Sequence, residues 1–176
     1  MRLKSLNECR LIIGSYPPFY YDARGGGGHA TVKSTAKNNL LQLNFEPETF
    51  AIPPLTSQTT RFLYFPLPPG LRIEMYMEEL QGSLNKNNGE VLLKFDSKFI
   101  FSINNLYKFP ELIVKTYLST GEVKGKRHKA KGLPLQSNGI VSLVGVALIP
   151  KTGNFFLDKF LNLPNEALAV LKCEIK

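Results

Sequence analysis

The stretch from Leu71 to Ile103 constrains this chain more than any other. Leu71, Ile73, Met75 and Met77 alternate with Arg72, Glu74, Tyr76 and Glu78. That period of two puts one face of a strand in a core and the other in water. Asn87-Asn88-Gly89 follows, and Asn-Gly accepts the positive φ angles of a type I′ turn. The return strand alternates again, with Val91, Leu93, Phe95, Ser97, Phe99, Phe101 and Ile103 opposite Glu90, Lys94, Asp96, Lys98 and Ser102. This is a long antiparallel hairpin, and the rest of a 176-residue chain has to cover its edges.

The same grammar continues downstream. Leu112, Val114, Thr116 and Leu118 form one apolar face, Thr120-Gly121 turns into Glu122–Lys131, and Ser137-Asn138-Gly139 repeats the turn chemistry. Residues 140–149 are apolar on both faces, with Gly145 and Ala147 as small members, which predicts a covered strand. Asn154–Leu161 predicts one two-turn helix, with Asn154 as its cap and Pro164 beyond its end. Leu171, Cys173 and Ile175 against Lys172, Glu174 and Lys176 predict a closing strand. With Leu40–Phe45 and Arg61–Phe65, about eight to nine strands result. The expected fold is mainly β: a single antiparallel β-barrel or barrel-like meander with one short helix near 154–161. A two-sheet β-sandwich is the alternative.

Residues 1–39 read differently, as an extended arm before a domain spanning 40–176. They hold Tyr16-Pro17-Pro18-Phe19-Tyr20-Tyr21, then Gly25–Gly28, which reads as a hinge. Tyr16, Phe19, Tyr20 and Tyr21 are candidates for docking this arm, on the chain's own body or on a partner.

The catalytic inventory is thin. His29 and His128 are isolated and read as loop residues, no metal-ligand spacing is present, and Cys9 and Cys173 read as free thiols of a reducing compartment. Gly25–Gly28 with Lys33-Ser34 is not a phosphate loop, because Val32 stands where that motif needs Gly. Of the carboxylates Glu78, Glu79, Glu90 and Asp96, which could pair for acid–base chemistry, Glu78, Glu90 and Asp96 are expected on solvated faces. We therefore expect no cofactor and no metal. No apolar run reaches the ~18 residues of a membrane span, and Leu11-Ile12-Ile13 is too short for a secretory leader.

Charge is uneven. The formal net charge is +8, and residues 112–176 carry ten basic and four acidic groups. Lys124, Lys126, Arg127, His128, Lys129 and Lys131 crowd into eight positions without an acid, a candidate site for an acidic protein or an anionic membrane. Missing interleaved aromatics argue against nucleic acid, leaving at most weak, salt-dependent phosphate contacts. Inside the expected barrel, Phe95, Phe99, Phe101, Leu112, Val114, Val144 and Val146 are the candidate walls of an apolar-ligand cavity, with Ser97, Thr116 and Ser142 as the only inward hydroxyls.

Tyr16-Pro-Pro-Phe, Asp22-Ala-Arg-Gly-Gly-Gly-Gly, Pro66-Leu-Pro-Pro-Gly, Leu143-Val-Gly-Val-Ala and Leu161-Asn-Leu-Pro-Asn-Glu-Ala-Leu resemble stretches of an uncharacterised protein family of cyanobacteria and plastids. The resemblance implies a photosynthetic setting, in cytoplasm or plastid stroma and peripheral to the thylakoid membrane, and contributes no site. The meander also resembles the calycin and YceI-type barrels that hold lipids or isoprenoids, in architecture alone. The expectation is a non-enzymatic binding, assembly or docking factor at a photosynthetic membrane surface, holding a lipid or pigment-like ligand. The alternatives are a small enzyme acting on a lipid or pigment precursor inside the barrel, and a weak nucleic-acid binder acting through the basic hairpin.

Overall fold

The computed structural model describes residues 1–35 and 39–176. In chain order its strands are β1 (Arg2–Ser5), β2 (Cys9–Ile13), β3 (Phe19–Tyr21), β4 (Gly27–Thr35), β5 (Leu40–Phe45), β6 (Thr60–Phe62), β7 (Phe65–Pro66) and β8 (Leu71–Asn85). There follow β9 (Val91–Ile103), β10 (Tyr107–Lys108), β11 (Leu112–Ser119), β12 (Glu122–Lys124), β13 (Lys129–Lys131), β14 (Ile140–Ile149) and β15 (Asn165–Ile175). One helix, α1 (Phe155–Leu161), separates β14 from β15. The excess over eight to nine strands comes from two- and three-residue pieces that alternation cannot register and from β1, β2 and β4, which lie in the stretch expected as an arm.

Pairing follows a partial ring of eight strands, β1-β4-β5-β8-β9-β11-β14-β15, with β15 returning to β1. All these pairs are antiparallel, and one large sheet, rather than two stacked ones, carries the fold. The expected hairpin is there, but its turn is not type I′: within the loop over 86–89 only Gly89 has positive φ (+70°), and Asn85 and Asn88 side chains accept from Asn87 N and Glu90 N. β8 continues past the expected pattern to Asn85, because a bulge between Met77 and Glu79 resets its inward face to Leu80 and Leu84.

β15 divides its second edge. Ser5, Lys4 and Leu3 pair with Cys173–Ile175, whereas Arg10–Ile13 pair with Ala167–Val170 and lead on to β3, β6 and β7. The arm expected over residues 1–39 is therefore corrected: its described part supplies β1 to β4, and only 36–38 lie outside the described residues. The glycines are not a hinge. Gly27 has φ +122°, and a Cβ there would lie 2.0 Å from the Leu3 carbonyl oxygen. The glycines let β4 press against β1, a tertiary demand that local composition does not reveal.

The interior divides along the strands. Near the β8–β9 turn it is filled by Phe45, Leu43, Leu93, Val141 and Leu143. Towards α1 a second cluster gathers Ile73, Phe101, Leu112, Ala147, Leu157 and Leu161.

Candidate functional site: an apolar cavity with a basic hairpin beside it

The second cluster does not fill its space. A cavity of about 390 Å³ runs from a floor at Leu80, Leu93 and Leu143 towards Phe62, Tyr16 and Phe160. Phe95, Phe99, Met75, Leu11 and Ile13 face it and stay half-buried because there is void where a neighbour would be. Its cause is side-chain size. Gly145 and Ala147 of β14 sit opposite Ala169 and Ala167 of β15, so four of the smallest residues form one stretch of wall.

Of the expected walls, Phe95, Phe99, Phe101, Leu112 and Val114 line the cavity. Val144 and Val146 do not: β14 presents Leu143, Gly145, Ala147 and Ile149 instead. Its two faces are both apolar because β12 and β13 lie against it outside, so the pattern alone could not choose its phase. Ser142 shifts with that phase and is not part of the lining, and neither is Ser97, which is fully buried and donates to the Tyr76 carbonyl at 2.9 Å.

Three of the hydroxyls at the cavity are already engaged, and Ser5 and Arg10 complete its polar lining. Thr116 Oγ1 donates to the Val146 carbonyl at 2.7 Å. Tyr21 donates to the Pro53 carbonyl and Tyr16 to the Phe160 carbonyl. Burial raises the Tyr21 pKa further above its ordinary value, with Cys9 and Asp22 adding to it. Cys9, also in the lining, has its thiol pKa raised by burial, and the Cys173 thiol is pushed up to about 12 by burial. Both cysteines are free. The four aromatics proposed for arm docking sit as parts of the sheet system. Phe19 stacks on Phe62 at 4.5 Å between centroids, Tyr16 meets Phe160, Tyr21 is buried, and Tyr20 points out.

Asp96 departs from expectation. It is only 8% exposed, lying between Lys94 and Lys115 at 3.8 and 3.6 Å, because lysine stems cover it. Among the described residues no cluster of His, Cys, Asp and Glu could hold a metal ion, and no helix is long and apolar enough to cross a membrane.

The basic hairpin is β12 and β13 paired as a separate two-stranded sheet. Lys124, Lys126, Arg127, Lys129 and Lys131 are exposed, but His128 is half-buried rather than a free loop residue. The segment is not free of acids in space. Glu166 accepts from the backbone N–H groups of Lys126 at 2.7 Å, Arg127 at 3.0 Å and His128 at 2.7 Å. Consecutive donors of this kind form a cradle for an anion. Gly125 makes room, since a Cβ would fall 2.2 Å from Glu166 Oε2. Burial acts to raise the Glu166 pKa, but the three N–H donors outweigh it and hold the carboxyl below its ordinary value. Lys129 also pairs with Glu122 at 3.0 Å. Sequence adjacency missed Glu166 because it lies on β15.

A wider depression of about 680 Å³ on the outer surface, between Glu8, Tyr20, Arg61 and Lys172, is open to solvent, and Lys172 there is paired with Glu8. Comparison with protein-family models, with curated proteins and with solved structures finds no match to this chain.

Proposed function

We propose that the protein is a non-enzymatic binding protein that holds one apolar small molecule, a lipid or pigment-like ligand, inside an antiparallel β-barrel. The observation that carries the reading is the cavity of about 390 Å³ with an almost wholly apolar lining, within the ~300–1,000 Å³ range of small-molecule sites. Supporting it, the Tyr16, Tyr21 and Thr116 hydroxyls at the lining are bonded to backbone carbonyls, so these three act as wall. In the photosynthetic setting implied by the sequence resemblance, acyl chains and pigments are the ligands of this chemistry.

The test is native mass spectrometry of the purified protein, with titration of a fluorescent polyene fatty acid. Wild type should carry a ligand or bind the probe. Ala147→Leu with Ala169→Leu should lower probe affinity by about tenfold or more while leaving the melting temperature equal or higher, since filling a void adds contacts. Undiminished binding by the filled variant would sink the reading.

A further inference from the structure

Three separate pieces of chain lie at the mouth end of the cavity, and each exposes apolar side chains that the fold does not use. The β6–β7 turn places Leu63, Tyr64 and Phe65 in solvent, with Tyr64 87% exposed. The β9–β10 turn does the same with Leu106, 91% exposed, beside Tyr107. α1 buries Leu157 and Leu161 and turns Phe155, Phe156 and Phe160 outward. Pairing puts them at one end. Leu71 opens β8 opposite Ile103, Phe62 pairs with Phe19, and α1 connects Ile149 to its partner Asn165. Tyr16 and Phe160 line the cavity and also reach solvent, so the mouth lies among these groups.

Folding alone gives no reason for this surface. Leu63 and Tyr64 sit at φ +52° and +68°, left-handed backbone that Asn-Gly would adopt with far less strain. Apolar residues that a helix turns away from the core ordinarily find a cover, yet Phe155, Phe156 and Phe160 of α1 are bare. Its position is fixed: Asn154 caps it through Leu157 N at 3.0 Å, and Asp158 accepts from Thr152 N and Oγ1 at 2.7 and 2.6 Å and from Gly153 N at 3.1 Å. The aromatics are therefore presented rather than frayed.

Charge selects the partner. Lys108, Lys151 and Lys159 are exposed within these segments, and Lys159 stands 5.7 Å from the Phe155 ring. Asp158, the carboxylate among them, is turned to the Thr152 loop. The basic hairpin's tip comes to the same end: Glu166 clamps it, and Arg127 Nη1 donates to Ser15 Oγ at 3.2 Å, next to Tyr16. Aromatic and leucine tips ringed by cations match the interfacial zone of an anionic bilayer, where rings sit at headgroup level and lysines meet phosphates.

We propose that this end of the molecule seats on an anionic phospholipid bilayer, with the cavity mouth against the lipid. Docking rests on the rim and its charge. Transfer of an apolar ligand between bilayer and cavity rests in addition on the carrier reading above.

The experiment is co-sedimentation of the full chain with vesicles of phosphatidylcholine, alone or mixed with phosphatidylglycerol. Wild type should sediment with the mixed vesicles, and less at high salt as the Debye length shrinks from ~10 Å towards ~3 Å. Leu106→Ser with Phe156→Ser removes only exposed groups, so circular dichroism and melting should hold while partitioning falls about tenfold. Lys126→Glu with Arg127→Glu should weaken binding to mixed vesicles only. The filled variant Ala147→Leu, Ala169→Leu should still sediment, which separates failure of docking from failure of the carrier reading. Wild type that stays in the supernatant, or rim variants that sediment like wild type, would overturn the proposal. So would a vesicle-free dimer that the rim substitutions dissolve, since the rim would then serve a second copy of the chain.

Discussion

At the end where β8 turns into β9, Leu93 and Val141 are 0% exposed and the turns are asparagine, serine and glycine. At the end where α1 sits, the same strands enclose a void, and the turns carry Leu63, Tyr64 and Leu106 into water. One alternating pattern thus makes two different interiors. The difference lies in residue size on two adjacent strands: Leu143 and Leu171 face inward lower down, Gly145, Ala147, Ala167 and Ala169 higher up. Alternation decides which way a side chain points, and volume decides whether the space it points into is filled.

The sharpest way to break the comparison is to create a void at the filled end and enlarge the existing one at the other. Leu93→Ala removes a side chain with no accessible surface, and urea unfolding should show a loss of ~2–5 kcal/mol. Phe99→Ala removes a larger side chain that is half-buried beside a cavity, and its cost should be only ~1–2 kcal/mol because fewer packed neighbours are lost. Equal losses would mean that the α1 end is as tightly packed as the other.

A smaller effect with the opposite sign tests the turns. Leu63→Asn with Tyr64→Gly replaces two strained, exposed residues by the pair that a type I′ turn prefers. It should raise stability by ~1–2 kcal/mol in the same unfolding assay. The β8–β9 turn at the filled end already places a glycine, Gly89, at its positive-φ position (+70°), so Gly89→Ala should destabilise there.

The ends also differ in how much of them could be read from the residues in order. The β8–β9 hairpin, the closing strand and the Asn154-capped helix were legible because alternation and capping are local. Five of seven cavity walls were found on β9 and β11, where one face is polar and fixes the phase. Val144 and Val146 failed on β14, where covering on both sides erases the contrast. β1 to β4 were missed because Gly27 and the tyrosines act through contacts far along the chain, with Leu3, Pro53 and Phe160. A cavity is an expectation of the sequence, but its cause does not show in residue order: Ala147 and Ala167 lie twenty positions apart and become one wall only by pairing.

The smallest expected effect concerns the tie between the basic hairpin and the mouth end. Glu166 is the only acid bonded to the backbone of residues 126–128 among the described contacts. Its folded pKa lies below the ordinary carboxyl value, so folding favours the charged form. The resulting stabilisation is complete above the unfolded carboxyl value and is lost as pH falls through the folded one. Hydrogen exchange of the Lys126, Arg127 and His128 amides should therefore stay protected from neutral pH down to the ordinary carboxylate range and open below it. Glu166→Gln keeps the shape and one acceptor oxygen but removes the charge, so these amides should be less protected throughout and show no step. The substitution should cost about 1 kcal/mol, because the amides it frees lie near solvent and water can replace the lost acceptor. If both proteins exchange alike from neutral to acid pH, the clamp does not hold the hairpin. Lys126 and Arg127 would then have no fixed place beside the mouth.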